Sequence, residues 1–81
     1  MYRMIKAESK EGTNKLDEIK LIHSLEGWFW NMPYIGMPFY FEYADNSGKM
    51  MRSSTVQSIT NVNGQIRITT RNSEYWFEEI D

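Results

Sequence analysis

The protein has 81 residues, no cysteine and a formal net charge of −2 at pH 7. This length predicts a single domain, because a second hydrophobic core could not be built from so short a chain. The lack of cysteine excludes a disulfide framework and a thiolate zinc site. Acidic and basic residues are interleaved, so the net charge does not draw the whole molecule to nucleic acid or to anionic lipid.

The N-terminal sequence MYRMIKAESK alternates and soon becomes charged, which is not typical of a secretory signal peptide. It lacks the apolar run of about 7 to 15 residues that a secretory signal peptide needs, and no stretch of about 18 apolar residues occurs elsewhere. A cysteine-free chain also suits a reducing compartment. We therefore expect a cytoplasmic protein that does not span or bind a membrane.

The first third of the chain predicts one strand and one short helix. Side chains alternate in MYRMIKA, which indicates a strand, and residues 8 to 14 form a polar loop. In KLDEIKLIHSLEG, apolar residues recur at every third position, with Thr13 or Asn14 as a possible cap and Gly27 as the end. A strand over residues 16–25 stays open as the alternative, because some apolar residues there also alternate.

The middle of the chain, WFWNMPYIGM, is the part richest in aromatic residues. Pro33, Gly36 and Pro38 predict that residues 28–37 are irregular or edge-like. From Pro38 onwards, FYFEY alternates cleanly and predicts a strand with its phenylalanine side chains on one face.

The C-terminal half predicts a meander of strands joined by short turns. DNSGK is a hairpin loop by composition, and KMMRSSTVQSIT follows as one long strand. Asn63 and Gly64 both tolerate the positive φ of a type I′ turn, which would place Ile59 opposite Ile68. The same count turns Val56 outward, so we predict a β-bulge near Gln57 or Ser58 that returns Val56 to the core.

These elements predict a mainly β fold of about five strands with one short helix. Strands in this number can bend into a small SH3-like barrel. A strongly bent, open antiparallel sheet is the alternative.

The C-terminal half also resembles a pattern found in uncharacterised small proteins of Gram-positive bacteria and their phages. That pattern is Thr-Ser-x-Val-x-x-Ile, a turn, and then Thr-x-Asn-Ser-x-Tyr with a hydrophobic residue before Glu; Ser53 stands here at the position of its first Thr. The matching residues here are Ser53, Ser54, Val56, Ile59, Thr70, Asn72, Ser73, Tyr75 and Phe77. The resemblance spans about half of the chain and implies a fold and a phage-like setting, but no mechanism.

The sequence contains no recognisable catalytic or metal-binding motif. His23 is the only histidine, and we interpret it as a surface or capping residue because no cysteine could complete a metal site with it. No nucleophile-elbow motif surrounds any serine, and the glycines stand singly at turns. We therefore predict a non-enzymatic protein without a cofactor or a metal.

The aromatic middle segment is the strongest candidate for a binding site. Aromatic residues and methionine are enriched at protein interfaces. The residues predicted to contact a protein partner are Trp28, Trp30, Met32, Tyr34 and Met37. The competing interpretation is that this segment forms a hydrophobic lid over one end of the core.

Two alternative functions remain open at this stage. Lys49, Arg52, Arg67 and Arg71 could border a stacking platform for single-stranded nucleic acid, or they could belong to a solvated sheet face. The other alternative is a structural component that self-associates through exposed strand edges.

Overall fold

The computed structural model describes residues 1–80, which form one helix and a seven-stranded antiparallel sheet. The elements are β1 Tyr2–Ser9, α1 Lys15–Ile22, β2 Glu26–Phe29, β3 Tyr40–Tyr43, β4 Met50–Arg52, β5 Val56–Val62, β6 Gln65–Thr70 and β7 Ser73–Glu79. The strand order is β4-β3-β2-β1-β7-β6-β5. The mainly β class with one helix is confirmed, whereas the strands number seven rather than five and the sheet does not close into a barrel.

The two extra strands come from segments that the sequence interpretation divided differently. Residues 26–29 form β2, which pairs with both β1 and β3, so the aromatic segment starts inside the sheet and becomes irregular only from Trp30. KMMRSSTVQSIT is not one strand, because residues 53–55 separate β4 from β5. The Ser53 hydroxyl accepts from the Phe39 N–H and donates to the Ser54 carbonyl, and such bonds between a side chain and the backbone compete with strand pairing.

The hairpin between β5 and β6 has the predicted turn and register. Asn63 and Gly64 have φ values of 50° and 79°. Ile59 lies opposite Ile68, and the register shifts between Val56 and Ser58. The predicted bulge is therefore confirmed, and it places Val56 in the core with no exposed surface.

The core lies on one face of the bent sheet. β1 contains a second register shift, between Met4 and Lys6, which brings Ala7 onto the same face as Met4. The core residues are Met4, Ala7, Phe39, Phe41, Tyr43, Val56, Ile66, Ile68, Tyr75 and Phe77. The predicted inward face of β3 is confirmed.

α1 covers part of the core edge. The Asn14 side chain caps its N-terminus by accepting from the Asp17 N–H at 3.3 Å, and Leu16 and Ile19 pack against the core. The helix ends at His23, so the predicted end at Gly27 is wrong. Within residues 1–80, no helix is long and apolar enough to cross a membrane.

Gly27 lies in β2, at a position where there is no room for a side chain. A Cβ atom there would overlap the Glu42 carbonyl oxygen and press against the Phe41 ring. The glycine thus permits close approach of two strands and is not a helix stop.

Candidate protein-interaction surface

Six large apolar side chains, one on β2 and five between β2 and β3, are exposed to solvent. Their exposed fractions lie between 45% and 65%, although all belong to a stretch of ten residues. We call them the aromatic-methionine surface, and they are Trp28, Trp30, Met32, Tyr34, Ile35 and Met37. The five residues that the sequence predicted are all among them.

Strand alternation separates the outward tryptophans from the inward phenylalanine. Phe29 points into the core, where its ring lies edge to face against Phe77 at a centroid distance of 4.8 Å. Trp28 and Trp30 therefore point to the opposite side of β2. The Trp30 indole Nε1–H donates to Glu42 Oε1 at 3.0 Å, which orients this ring on the outer face.

Backbone hydrogen bonds hold both ends of the irregular segment that follows. The Trp30 N–H donates to the Tyr40 carbonyl at 3.1 Å. At the other end, the Gly36 N–H donates to the Val56 carbonyl, and the Val56 N–H donates to the Met37 carbonyl, both at 2.9 Å. Gly36 has φ +96°, a conformation that a residue with a side chain rarely adopts. The exposed side chains are thus carried on an anchored backbone.

The segment combines the two roles that the sequence left open. Phe29 and Phe39 at its two ends pack into or against the core, as a lid would. The side chains between them point outward, and Met32, Tyr34 and Met37 line a cleft of about 80 Å³. This volume is well below the roughly 300 to 1,000 Å³ of sites for small molecules and cofactors. The cleft therefore has room for about one apolar side chain.

The four basic residues proposed for nucleic-acid binding do not form one platform. The Arg67 guanidinium lies 4.1 Å from the centroid of the Trp76 ring, and Lys6 Nζ lies 4.8 Å from it. Arg52 lies 6.0 Å from the centre of the Tyr40 ring. Lys49 sits in the loop before β4. Basic side chains of the protein itself thus lie over the Trp76 and Tyr40 rings.

Arg52 and Arg71 line a common polar cleft of about 360 Å³ at the end of β4. Pro38 lines this cleft and also the apolar cleft beside it. The two clefts are therefore neighbours.

His23 has a structural role in this fold. Its backbone N–H caps α1 by donating to the Ile19 carbonyl, and its ring stacks on Tyr43 at 4.1 Å. Its Nδ1 lies 2.7 Å from Asp45 Oδ2. Hydrogen bonds from Ser47 and then from His23 lower the pKa of Asp45. The interpretation of His23 as a capping residue is confirmed, and residues 1–80 contain no cluster of metal-ligating side chains.

The residues that carry the resemblance to Gram-positive and phage proteins build a hydroxyl network. The Ser54 hydroxyl donates to Thr70 Oγ1 at 2.8 Å and accepts from the Asn72 N–H at 3.0 Å. Thr70 Oγ1 also accepts from the Ser73 N–H at 3.1 Å and donates to the Ser73 carbonyl at 3.0 Å. These hydrogen bonds hold the turn between β6 and β7.

No protein-family model, curated protein or solved structure matches this chain. The resemblance to phage proteins thus stays a prediction, and an inference about function depends on the geometry of the chain itself.

Sequence reasoning did not single out two features of this region. Ile35 is 65% exposed but was not among the predicted contact residues. Ile35 follows no strand or helix period. Its position in an irregular stretch, between Tyr34 and Gly36, is the feature of the sequence that could have indicated its exposure. The shared cleft of Arg52 and Arg71 had no local signal, because Arg52 ends β4 whereas Arg71 lies in the turn between β6 and β7.

Proposed function

We propose that this protein is a non-enzymatic interaction protein that binds a partner protein through the aromatic-methionine surface. The observation that carries the proposal is the exposure of six large apolar side chains on one anchored segment. Contiguous apolar patches are uncommon on monomeric proteins and mark interaction sites. An anchored backbone lowers the entropy lost on binding, because the segment does not have to be ordered first.

The kinds of side chain on this surface also support a protein partner. Tryptophan, tyrosine and methionine are enriched at the centres of protein interfaces. Burying apolar area contributes about 25 cal/mol per Å². The small apolar cleft provides a position at which one partner side chain can insert. We further propose a cytoplasmic accessory factor of a phage or a Gram-positive bacterium, which rests on the resemblance and on the lack of cysteine.

A pull-down with matched variants tests the proposal. Tagged wild-type protein, M32S/Y34S and L21S/I22S are incubated with lysate of a Gram-positive host, with and without nuclease, and bound proteins are identified by mass spectrometry. Both variants remove two exposed apolar side chains, but Leu21 and Ile22 lie on α1, outside the surface. Circular dichroism is used to check that each variant is folded.

We expect the wild type and L21S/I22S to retain one protein after nuclease treatment, and M32S/Y34S to lose it. Equal capture by both variants would contradict the proposal. Capture that disappears with nuclease would favour nucleic-acid binding instead. Sedimentation equilibrium separates these outcomes from self-association, which would give a mass that rises with concentration and falls back in M32S/Y34S.

A further inference from the structure

Arg52 and Arg71 form a positively charged border beside the aromatic-methionine surface. Arg52 pairs with Tyr40 across β3 and β4, and the Tyr40 ring lines the apolar cleft. The Arg71 N–H donates to the Thr55 carbonyl at 2.9 Å, which fixes the turn that carries Arg71 next to the same polar cleft. The apolar and the basic clefts meet at Pro38.

Neither of these arginines is neutralised within the part of the chain that the structure describes. Arg3, by contrast, bonds to Glu26 at 3.0 Å and to Glu78 at 2.9 Å. The ion pairs found within residues 1–80 leave out Arg52 and Arg71, and no acidic residue lines their cleft. A protein with a net charge of −2 thus carries a local positive patch at one end of its largest exposed apolar segment.

We propose that the partner presents an acidic segment in which a carboxylate side chain lies next to an apolar side chain. This inference rests on the proposed function and names the chemistry of the partner. The apolar side chain enters the cleft lined by Met32, Tyr34 and Met37, and the carboxylate binds Arg52 and Arg71. The arginine guanidinium forms a planar fork of donors that matches a carboxylate, so two arginines in one cleft favour this ligand.

Charge and shape favour an acidic protein segment over a nucleic-acid backbone. A phosphate chain needs several cations along a track, and its affinity grows with the number of phosphates neutralised. Only two arginines line this cleft, and Arg67 contacts Trp76 instead of extending the patch. The adjoining cleft is apolar and holds about 80 Å³, which suits an aliphatic side chain better than a base.

The test selects peptides from a phage-displayed library of random sequences of roughly twelve residues on the immobilised full-length protein. Enriched peptides are synthesised with a fluorescein label, and their affinities are measured by anisotropy. The panel contains the wild type, R52Q/R71Q, M32S/Y34S and the matched control R67Q. R67Q removes one positive charge outside the two clefts. A labelled oligothymidine is measured in parallel.

We expect enriched peptides to carry Asp or Glu beside Leu, Phe, Met or Trp. R52Q/R71Q should weaken their binding by about tenfold or more, because each arginine donates a charge-assisted hydrogen bond. Raising NaCl from about 50 to about 300 mM should weaken wild-type binding and leave R52Q/R71Q nearly unchanged. R67Q should bind like the wild type.

Five results would overturn the inference. Enriched peptides without acidic residues, or equal affinity of R52Q/R71Q and the wild type, would reject an acidic partner segment. The proposed function would still stand if M32S/Y34S lost binding. Normal peptide binding by M32S/Y34S would overturn the proposed function as well. Failure to enrich any peptide, or tighter binding of oligothymidine that R52Q/R71Q abolishes, would also reject an acidic protein segment.

Discussion

The phenylalanines and the tryptophans of this protein occupy opposite sides of the sheet although they alternate in the same short stretch. Phe39 and Phe41 are at most 2% exposed, whereas Trp28 and Trp30 are 45% and 62% exposed. The phenylalanine side chain has no polar atom, so its whole ring can be buried without losing a hydrogen bond. Tryptophan carries an N–H that needs a partner, and Trp30 finds Glu42 on the outer face. A high aromatic content therefore builds a core and an outer surface at the same time.

The largest effect should come from the inner side of this comparison. Phe77 has no exposed surface, and Phe29 and Phe41 lie 4.8 and 4.9 Å from its ring. Phe77→Ala should lower the free energy of unfolding by about 3 to 5 kcal/mol, because it leaves a cavity among close-packed rings. Urea denaturation followed by fluorescence measures this change. A loss of less than about 1 kcal/mol would show that the inner rings are not the main core.

A second, smaller effect on stability is expected at Gly27, where β2 comes close to β3. Gly27→Ala should lower the free energy of unfolding by about 1 to 3 kcal/mol, because the added methyl group presses on Glu42 and Phe41. Gly48→Ala provides a control in an open loop, where any cost comes from the positive φ of 73° alone. Equal costs at the two sites would refute close packing at β2.

A smaller, pH-dependent effect is expected at the edge of the core beside Tyr43. Hydrogen bonds from Ser47 and His23 hold the pKa of Asp45 below its ordinary value of 3.8. The carboxylate therefore stabilises the fold above that pH, and this stabilisation declines as the pH falls below it towards the pKa of the folded state. Asp45→Asn should lower the urea midpoint near neutral pH and show a weaker further decline in acid than the wild type.

If the urea midpoints of the wild type and of Asp45→Asn declined in parallel as the pH falls, Asp45 would not be a source of acid sensitivity. Asp17→Asn is the control. It also removes an acidic side chain that bonds to partners, here Asn14 and Lys20, but at an exposed position on α1.

The smallest effect on stability should come from the outer side of the comparison. Trp30→Ala should change the free energy of unfolding by less than about 1 kcal/mol, because the ring is 62% exposed. The same variant should lose partner capture, which the pull-down measures. A loss of stability as large as that of Phe77→Ala would instead make Trp30 a core residue.

Features specified by neighbouring residues could be predicted in detail. The turn at Asn63 and Gly64 and the bulge before Ser58 followed from counting along one hairpin. The inward face of β3 followed from alternation, and Asn14 was one of two caps considered. In each case, the residues that determine the feature lie within one strand, one helix with its cap or one hairpin.

Features that join distant parts of the chain could not be predicted in this way. Gly27 fits both a helix end and a strand that passes close to another, and only the pairing with β3 decides between them. The break at residues 53–55 depends on the Phe39 N–H and on Thr70, which belong to other elements of the fold than the strand predicted there. The strand count was wrong for this reason.

The sequence by itself determined the mainly β class, the hairpin with its bulge and five of the six apolar residues in the aromatic-methionine surface. Local backbone preferences and side-chain periodicity specify these features. Only the tertiary structure decided that the sheet stays open, that the outer rings remain exposed and that Arg52 and Arg71 share a cleft beside them. These features depend on the register between strands far apart in the chain, which no local pattern encodes.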